Sequence, residues 1–203
     1  MKKEPDFDLP IDPRYNLPAL SWSSLLRIEA NAEKWYEEEF LGRKKYRSDA
    51  MAYGLSVHAK IKHNKIKVPR GDNKEKPLSC LISPRGGTPF YLCGTPDDFD
   101  TETIYEYKTG AKLWNKKQAD EHGQIFTYAL LLWRIDGILR KKGKLISLQT
   151  KYDTESESRV LNKKERHIDT EISLLDILKI EARFIRGYKK AIETIKRRAS
   201  GKE

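Results

Sequence analysis

The residues best suited to chemistry lie in one short stretch, "GTPDDFDTETIYEYKTG", residues 94–110. Asp97 closes a Gly-Thr-Pro-Asp turn, and Glu106 and Lys108 stand two positions apart in a run of β-forming residues. Alternate residues of a strand point the same way, so Glu106 and Lys108 share one face and Tyr107 points away. The turn-rich "DFDTE" makes a short hairpin that folds Asp97 back toward Glu106. Two carboxylates and an ammonium then converge. Carboxylates held together repel and raise one another's pKa unless a cation sits between them. A hard divalent ion such as magnesium takes oxygen ligands and typically keeps several waters. A nearby lysine can orient or activate water on that ion and stabilise negative charge developing on a phosphoryl group. The chemistry implied is phosphodiester hydrolysis.

A bare Glu-x-Lys is commonly a surface ion pair on an exposed hairpin, because charges alternate on many strand faces. Its company narrows the alternatives. The element is preceded by "GTPD", followed by "TG", and then by "QIFTY" in the next helix, where Gln124 and Tyr128 lie one helical turn apart. Upstream, "GLSVH" places Gly54, Val57, His58 and Ile61 at i, i+3, i+4 and i+7, so His58 faces inward beside a small residue. A lone His on a helix face is more often a hydrogen-bonded core residue than a ligand. Gln124 and Tyr128, beside the apolar "ALLLW", would alone pass for ordinary helix residues.

Together these residues resemble the RecB-like branch of the PD-(D/E)XK nuclease superfamily. Its sites pair a Gly-x-x-Asp strand end with Asp/Glu-x-Lys and a following Gln-x-x-x-Tyr helix, after an upstream helix with a Gly and a His. Here those elements are Gly94 to Asp97, Glu106 to Lys108, Gln124 to Tyr128, and "GLSVH" with His58; the opening "SWSS" also looks like family N-termini. The motifs cover about Leu20 to Leu132, and the rest agrees only in element order. The resemblance implies His58, Asp97, Glu106 and the Tyr107 backbone carbonyl as ligands of Mg2+ or Mn2+, and Lys108 as the catalytic residue beside the water. Gln124 and Tyr128 would support the site and the DNA backbone. Asp98 competes with Asp97 for the ligand role, but the Gly-x-x-Asp spacing favours Asp97 and leaves Asp98 to the turn or to supporting the ligands from behind.

Composition is compatible with that expectation. The 40 Lys and Arg against 30 Asp and Glu give a net charge of +10, which attracts polyanions such as DNA or an anionic membrane surface. "GRKKYR", the Lys-rich "KIKHNKIKVPRGDNKEK" and the tail "KKAIETIKRRASGK" can neutralise phosphates, or serve only as solvated surface. Trp114 could stack on an unpaired base or pack in the core. The two cysteines, Cys80 and Cys93, are expected to be reduced structural thiols, and they cannot supply the four thiolates of the iron–sulfur cluster found in many RecB-like nucleases. A Gly-rich nucleotide loop is also missing, so any helicase or recombination partner would be a separate chain. With no apolar run of ~20 residues and no apolar signal core, the sequence points to the cytosol and away from a membrane.

Four prolines in the first 20 residues suggest an extended arm over residues 1–19, with one nuclease domain over 20–203. A helix follows whose face carries Leu25, Ile28, Ala32 and Trp35 and which Gly42 stops. A second runs from about Ser48 to His63. The segments "LSCLIS", "TPFYLCG" and "TIYEYKT" read as an antiparallel meander. A helix over roughly Ala119 to Arg134, strands "KLISLQTKY" and "RHIDTEI", and a closing helix from about Leu174 to Arg198 complete the chain. The expected stripe of that last helix is Leu174, Ile177, Leu178, Phe184, Ile185, Tyr188 and Ile192. This pattern predicts an α/β protein with a central mixed sheet flanked by helices, a restriction-endonuclease-like core. The expected function is a metal-dependent, exonuclease-like DNA nuclease of recombination, repair or mobile-element metabolism. The alternatives are a catalytically silent DNA-binding or assembly module of the same fold, and a restriction-type endonuclease.

Overall fold

The computed structural model describes residues 11–12, 17–41, 43, 48–63 and 65–201. The predicted arm lies mostly outside these residues, as do Gly42, the expected helix stop, and all of "GRKKYR" except Arg43. The described parts of the arm are extended: β1 (Ile11–Asp12) pairs antiparallel with β2 (Leu17–Leu20).

Helix α1 (Trp22–Phe40) starts where the Ser21 hydroxyl accepts the Ser24 N–H. It buries Leu25, Ile28, Ala32 and Trp35, the stripe its periodicity predicts. The chain leaves helical geometry at Asn31, and that residue's Oδ1 accepts the Lys34 N–H at 3.0 Å, so the second half of α1 carries its own cap. Helix α2 (Asp49–Lys62) is capped by Ser48 in the same way and buries Val57 and Ile61.

Strands β3 (Leu78–Ile82) and β4 (Phe90–Gly94) form an antiparallel hairpin, and β2 joins β4 in parallel. The meander stops there. After the two-residue β5 (Asp98–Phe99), strand β6 (Thr103–Gly110) turns back antiparallel to β5 in a different sheet. The helices α3 (Lys116–Glu121) and α4 (Gly123–Asp136) carry the chain over to β7 (Lys142–Asp153), which lies parallel to β6, and β8 (Ser158–Glu171) returns antiparallel. A parallel pair needs such a crossover. Among the described residues the result is two four-stranded mixed sheets, ordered β1-β2-β4-β3 and β5-β6-β7-β8, with helices packed on them. It is a mixed α/β fold.

Helix α4 joins the two sheets. Ile125, Tyr128, Ala129, Leu130, Leu131 and Leu132 are all buried, and the helix packs against β3, β4, β6 and the closing α5 (Leu174–Ala199). Helix α5 begins with a reciprocal cap between Ser173 and Asp176 and buries Ile177, Ile180, Phe184, Tyr188, Ala191 and Ile195. Leu174 and Leu178, expected on this stripe, are instead exposed in its first turns. Arg183 fixes α5 to α1 through a bidentate pair with Glu29 at 2.7 and 2.6 Å. No helix among the described residues is long and apolar enough to cross a membrane.

This arrangement sandwiches β6. Ile104 belongs to the main core beneath α4, whereas Tyr107 packs with Val57 and Ile61 of α2 and with Ile146 and Leu148 of β7. Residues of alternate parity on β6 therefore meet different helices.

Candidate active site

Glu106 and Lys108 lie on the α4 side of β6, as strand alternation requires. Lys108 Nζ is 2.6 Å from Glu106 Oε1 and donates to Gln124 Oε1 at 2.8 Å. Gln124 Nε2 in turn donates to the Tyr128 hydroxyl at 2.6 Å. A continuous chain, Glu106–Lys108–Gln124–Tyr128, thus runs from strand to helix. Gly94 makes room for it, because a Cβ there would stand 2.9 Å from Cε1 of Tyr128.

Asp97 sits where β4 has ended and β5 is about to begin. Its Oδ2 accepts the Tyr107 N–H at 2.7 Å, and its Oδ1 lies 3.1 Å from His58 Nδ1. One carboxylate thereby joins α2 to β6. Asp98 points elsewhere: it is buried, and its Oδ1 accepts the Phe99 and Asn73 N–H groups at 2.8 and 3.0 Å. All the side chains the motifs single out gather at this end of β6. A small cavity on the α2 side is lined by His58 and Tyr107, by the carboxylates of Glu75, Asp97 and Asp98, and by Lys62, Arg70 and Lys74. The basic loop after α2 thus reaches this cavity. In the sequence only its charge and the residues Gly71 and Asn73 mark that approach.

Burial dominates the electrostatics of the site. Glu106 is 1% exposed, and burial, with the charge of Asp97 added, pushes its carboxyl up to about 8 despite Lys108. Its Oε2 is buried with no hydrogen-bond partner. Burial alone would lower the His58 pKa, but the bond and charge of Asp97 and the charge of Glu106 outweigh it and raise the pKa. The Tyr128 hydroxyl is pushed far up, first by burial and then by the charge of Glu106, so it stays protonated as a partner for Gln124.

An orphaned carboxylate oxygen, a second carboxylate and an imidazole make a donor set that fits a hard divalent cation. Among the described residues no group of three or more His, Cys, Asp or Glu side chains is placed to hold a metal ion. The donors instead satisfy one another in pairs, His58 with Asp97 and Glu106 with Lys108. A cation at Glu106 Oε2 would supply the partner that oxygen lacks.

His122 lies outside every motif of the sequence. It links α3 to α4 and is wedged between Trp22 and Trp114, with ring centroids 5.9 and 4.9 Å away and edge-to-face geometry. Burial, reinforced by Lys108, lowers its pKa to about 4, and its Nδ1 is buried without a partner. Trp114 is thereby engaged in packing: it lies against the core, and its backbone N–H donates to Ser147 Oγ at 3.0 Å. Cys80 is buried and Cys93 half-buried, and neither is in a disulfide.

No protein-family model and no curated protein matches the chain. Among solved structures, a candidate exonuclease from Eubacterium rectale superposes on 87% of this chain and 82% of its own, with a TM-score of 0.53 and 11% identity. The alkaline exonuclease LHK-Exo from Laribacter hongkongensis aligns over 90% of this chain and 94% of its own at 14% identity, with a TM-score of 0.46 that is too low to add to the assignment. The chain therefore shares the fold of the Eubacterium rectale protein, at an identity that speaks for the fold alone.

Proposed function

We propose that the protein is a metal-dependent deoxyribonuclease of the RecB-like PD-(D/E)XK kind, exonuclease-like, that hydrolyses phosphodiester bonds in recombination, repair or mobile-element DNA metabolism. The observation that carries this reading is Glu106: a carboxylate 1% exposed, one oxygen held by Lys108 and the other buried without a partner, beside Asp97. A buried carboxylate left half satisfied is costly, and a divalent cation would relieve that cost. The fold shared with a candidate exonuclease agrees with the reading.

In this reading His58, Asp97, Glu106 and the Tyr107 carbonyl would hold Mg2+ or Mn2+. When bound, such an ion supplies Lewis acidity toward a phosphoryl oxygen and lowers the pKa of a coordinated water. Lys108 holds a positive charge at the Glu106 carboxylate, where it orients the attacking water and stabilises charge that develops on the phosphoryl oxygens. Gln124 fixes the direction of Lys108, and Tyr128 fixes Gln124. The substrate is DNA with free ends or single-stranded character, any helicase or recombination protein acts as a separate chain, and the setting is the cytoplasm, without a cluster or a membrane.

The test is a digest of linear, circular, single-stranded and double-stranded DNA with and without metal. Cleavage should vanish with excess chelator and return with magnesium or manganese, while calcium supports binding without turnover. Full activity in excess chelator would refute the metal assignment. Cleavage of none of the substrates, with binding intact, would favour the silent module.

A further inference from the structure

Resting on the nuclease reading, we infer that Met51 and Leu55 of α2 seat an unpaired base of the strand being cleaved, beside the phosphate at the site, so that the substrate is a strand whose bases are unstacked there. The seat begins at a free strand edge. Strand β5 pairs only with Ile104 and Tyr105, and from Glu106 onward that side of β6 has no strand partner among the described residues. The Tyr107 N–H donates instead to the Asp97 carboxylate. Between this edge and α2 lies an open groove of about 550 Å³, with Met51, Gly54, Leu55 and His58 on its helical wall and Lys108 and Thr109 on the strand. Two residues of the candidate site, His58 and Lys108, thus line the same groove as two apolar side chains.

Helix geometry sets those side chains in line. Met51, Leu55 and His58 stand at i, i+4 and i+7 and share one stripe of α2. At about 1.5 Å of rise per residue, Leu55 lies about 4.5 Å and Met51 about 10.5 Å along the helix axis from His58. Leu55 is 61% exposed and Met51 56%. Gly54 lets the helix come this near the strand, because a Cβ there would fall 2.9 Å from Thr109 Oγ1.

A single exposed Leu or Met needs no explanation. These two are set apart by their place, in line with His58 and in one groove with Lys108. The groove has the size of a small-ligand site, about 300–1,000 Å³, which admits a nucleoside and excludes a stacked duplex. Lys108, the lysine on its wall, is already bonded to Glu106 and Gln124. Met51 and Leu55 offer a phosphate nothing, but they offer a base an apolar surface. Every base has such a face, and a flexible thioether packs on any of the four, so the contact carries no sequence choice. A phosphate at His58 then carries its base outward along α2. The competing occupant of this face is a second copy of the chain.

The experiment titrates the protein, in calcium, with a short oligothymidylate and with the same sugar–phosphate chain lacking every base. The two carry equal phosphate charge, so counterion release cancels between them. The parental protein should bind the base-bearing strand about 10-fold more tightly, the low end of what one base gains on a ring. Met51→Ser with Leu55→Ser should reduce that preference to less than about 2-fold, with thermal unfolding to verify the fold. If the paired change fails to fold, Leu55→Gln alone should reduce the preference by at least half. A parental protein without the preference, or a folded variant that keeps it, overturns the proposal. So does a parental dimer that the paired change converts to monomer in sedimentation, which would give the face to a second copy. A protein that shows the preference in calcium and never cuts in magnesium would sink the nuclease reading and leave the seat standing; cleavage without the preference would do the reverse.

Discussion

Lys108 Nζ donates to Gln124 Oε1 across 2.8 Å, a bond that ties a charged residue of β6 to the first turn of α4. It joins two motifs that lie 16 residues apart in the chain. A lysine held between a carboxylate and an amide has one direction of approach; a lysine without the amide has many.

Gln124→Ala should therefore lower turnover by about 10- to 100-fold, the cost usual for removing a group that orients a functional side chain. DNA affinity should change little. Single-turnover rates measured beside binding titrations separate the two, and a parental rate in folded Gln124→Ala would show that Lys108 needs no support.

Salt dependence tests the basic surplus. If the +10 charge serves DNA, log affinity should fall linearly with log salt as condensed counterions are released. Affinity that stays flat from low to high salt would leave the surplus a role in solubility alone.

His122 sets a pH dependence that is independent of metal. Its folded pKa, about 4, lies below the unfolded value of 6.5, so the neutral ring stabilises the fold fully above pH 6.5. That contribution is lost as pH falls from 6.5 toward about 4, at no more than about 1.4 kcal/mol per pH unit and less to the extent that solvent screens the ring. Denaturant unfolding of the parental protein and His122→Gln across this window should show a flatter profile for the variant. Parallel profiles would mean that the ring protonates freely between its two tryptophans.

The sequence carried local information well. The stripe of α1 and the span of α2 follow from 3.6-residue periodicity and from serine caps, and the hairpin that returns Asp97 toward Glu106 follows from turn chemistry. Pairing across the chain was not legible. Residues 103–109 read as a third strand of the meander, yet β6 leaves β4 and lies parallel to β7, because the crossover through α4 decides its neighbour. Periodicity also says nothing about where a partner surface ends, and so Leu174 and Leu178 read as core although they are exposed. The docking of loop 69–75 rests mostly on backbone groups, which every sequence has, and only Gly71 and Asn73 mark it.

The most direct test of the account is Lys108→Ala. Its ammonium, 2.6 Å from Glu106, is assigned to the attacking water and the developing charge, with little part in holding ground-state DNA. Single-turnover cleavage of a labelled linear DNA in magnesium should fall by ~100-fold or more, while affinity in calcium stays within a few-fold and thermal unfolding shows an intact fold. A folded Lys108→Ala protein that cleaves at the parental rate would make Lys108 a surface residue and contradict the nuclease site built on Glu106.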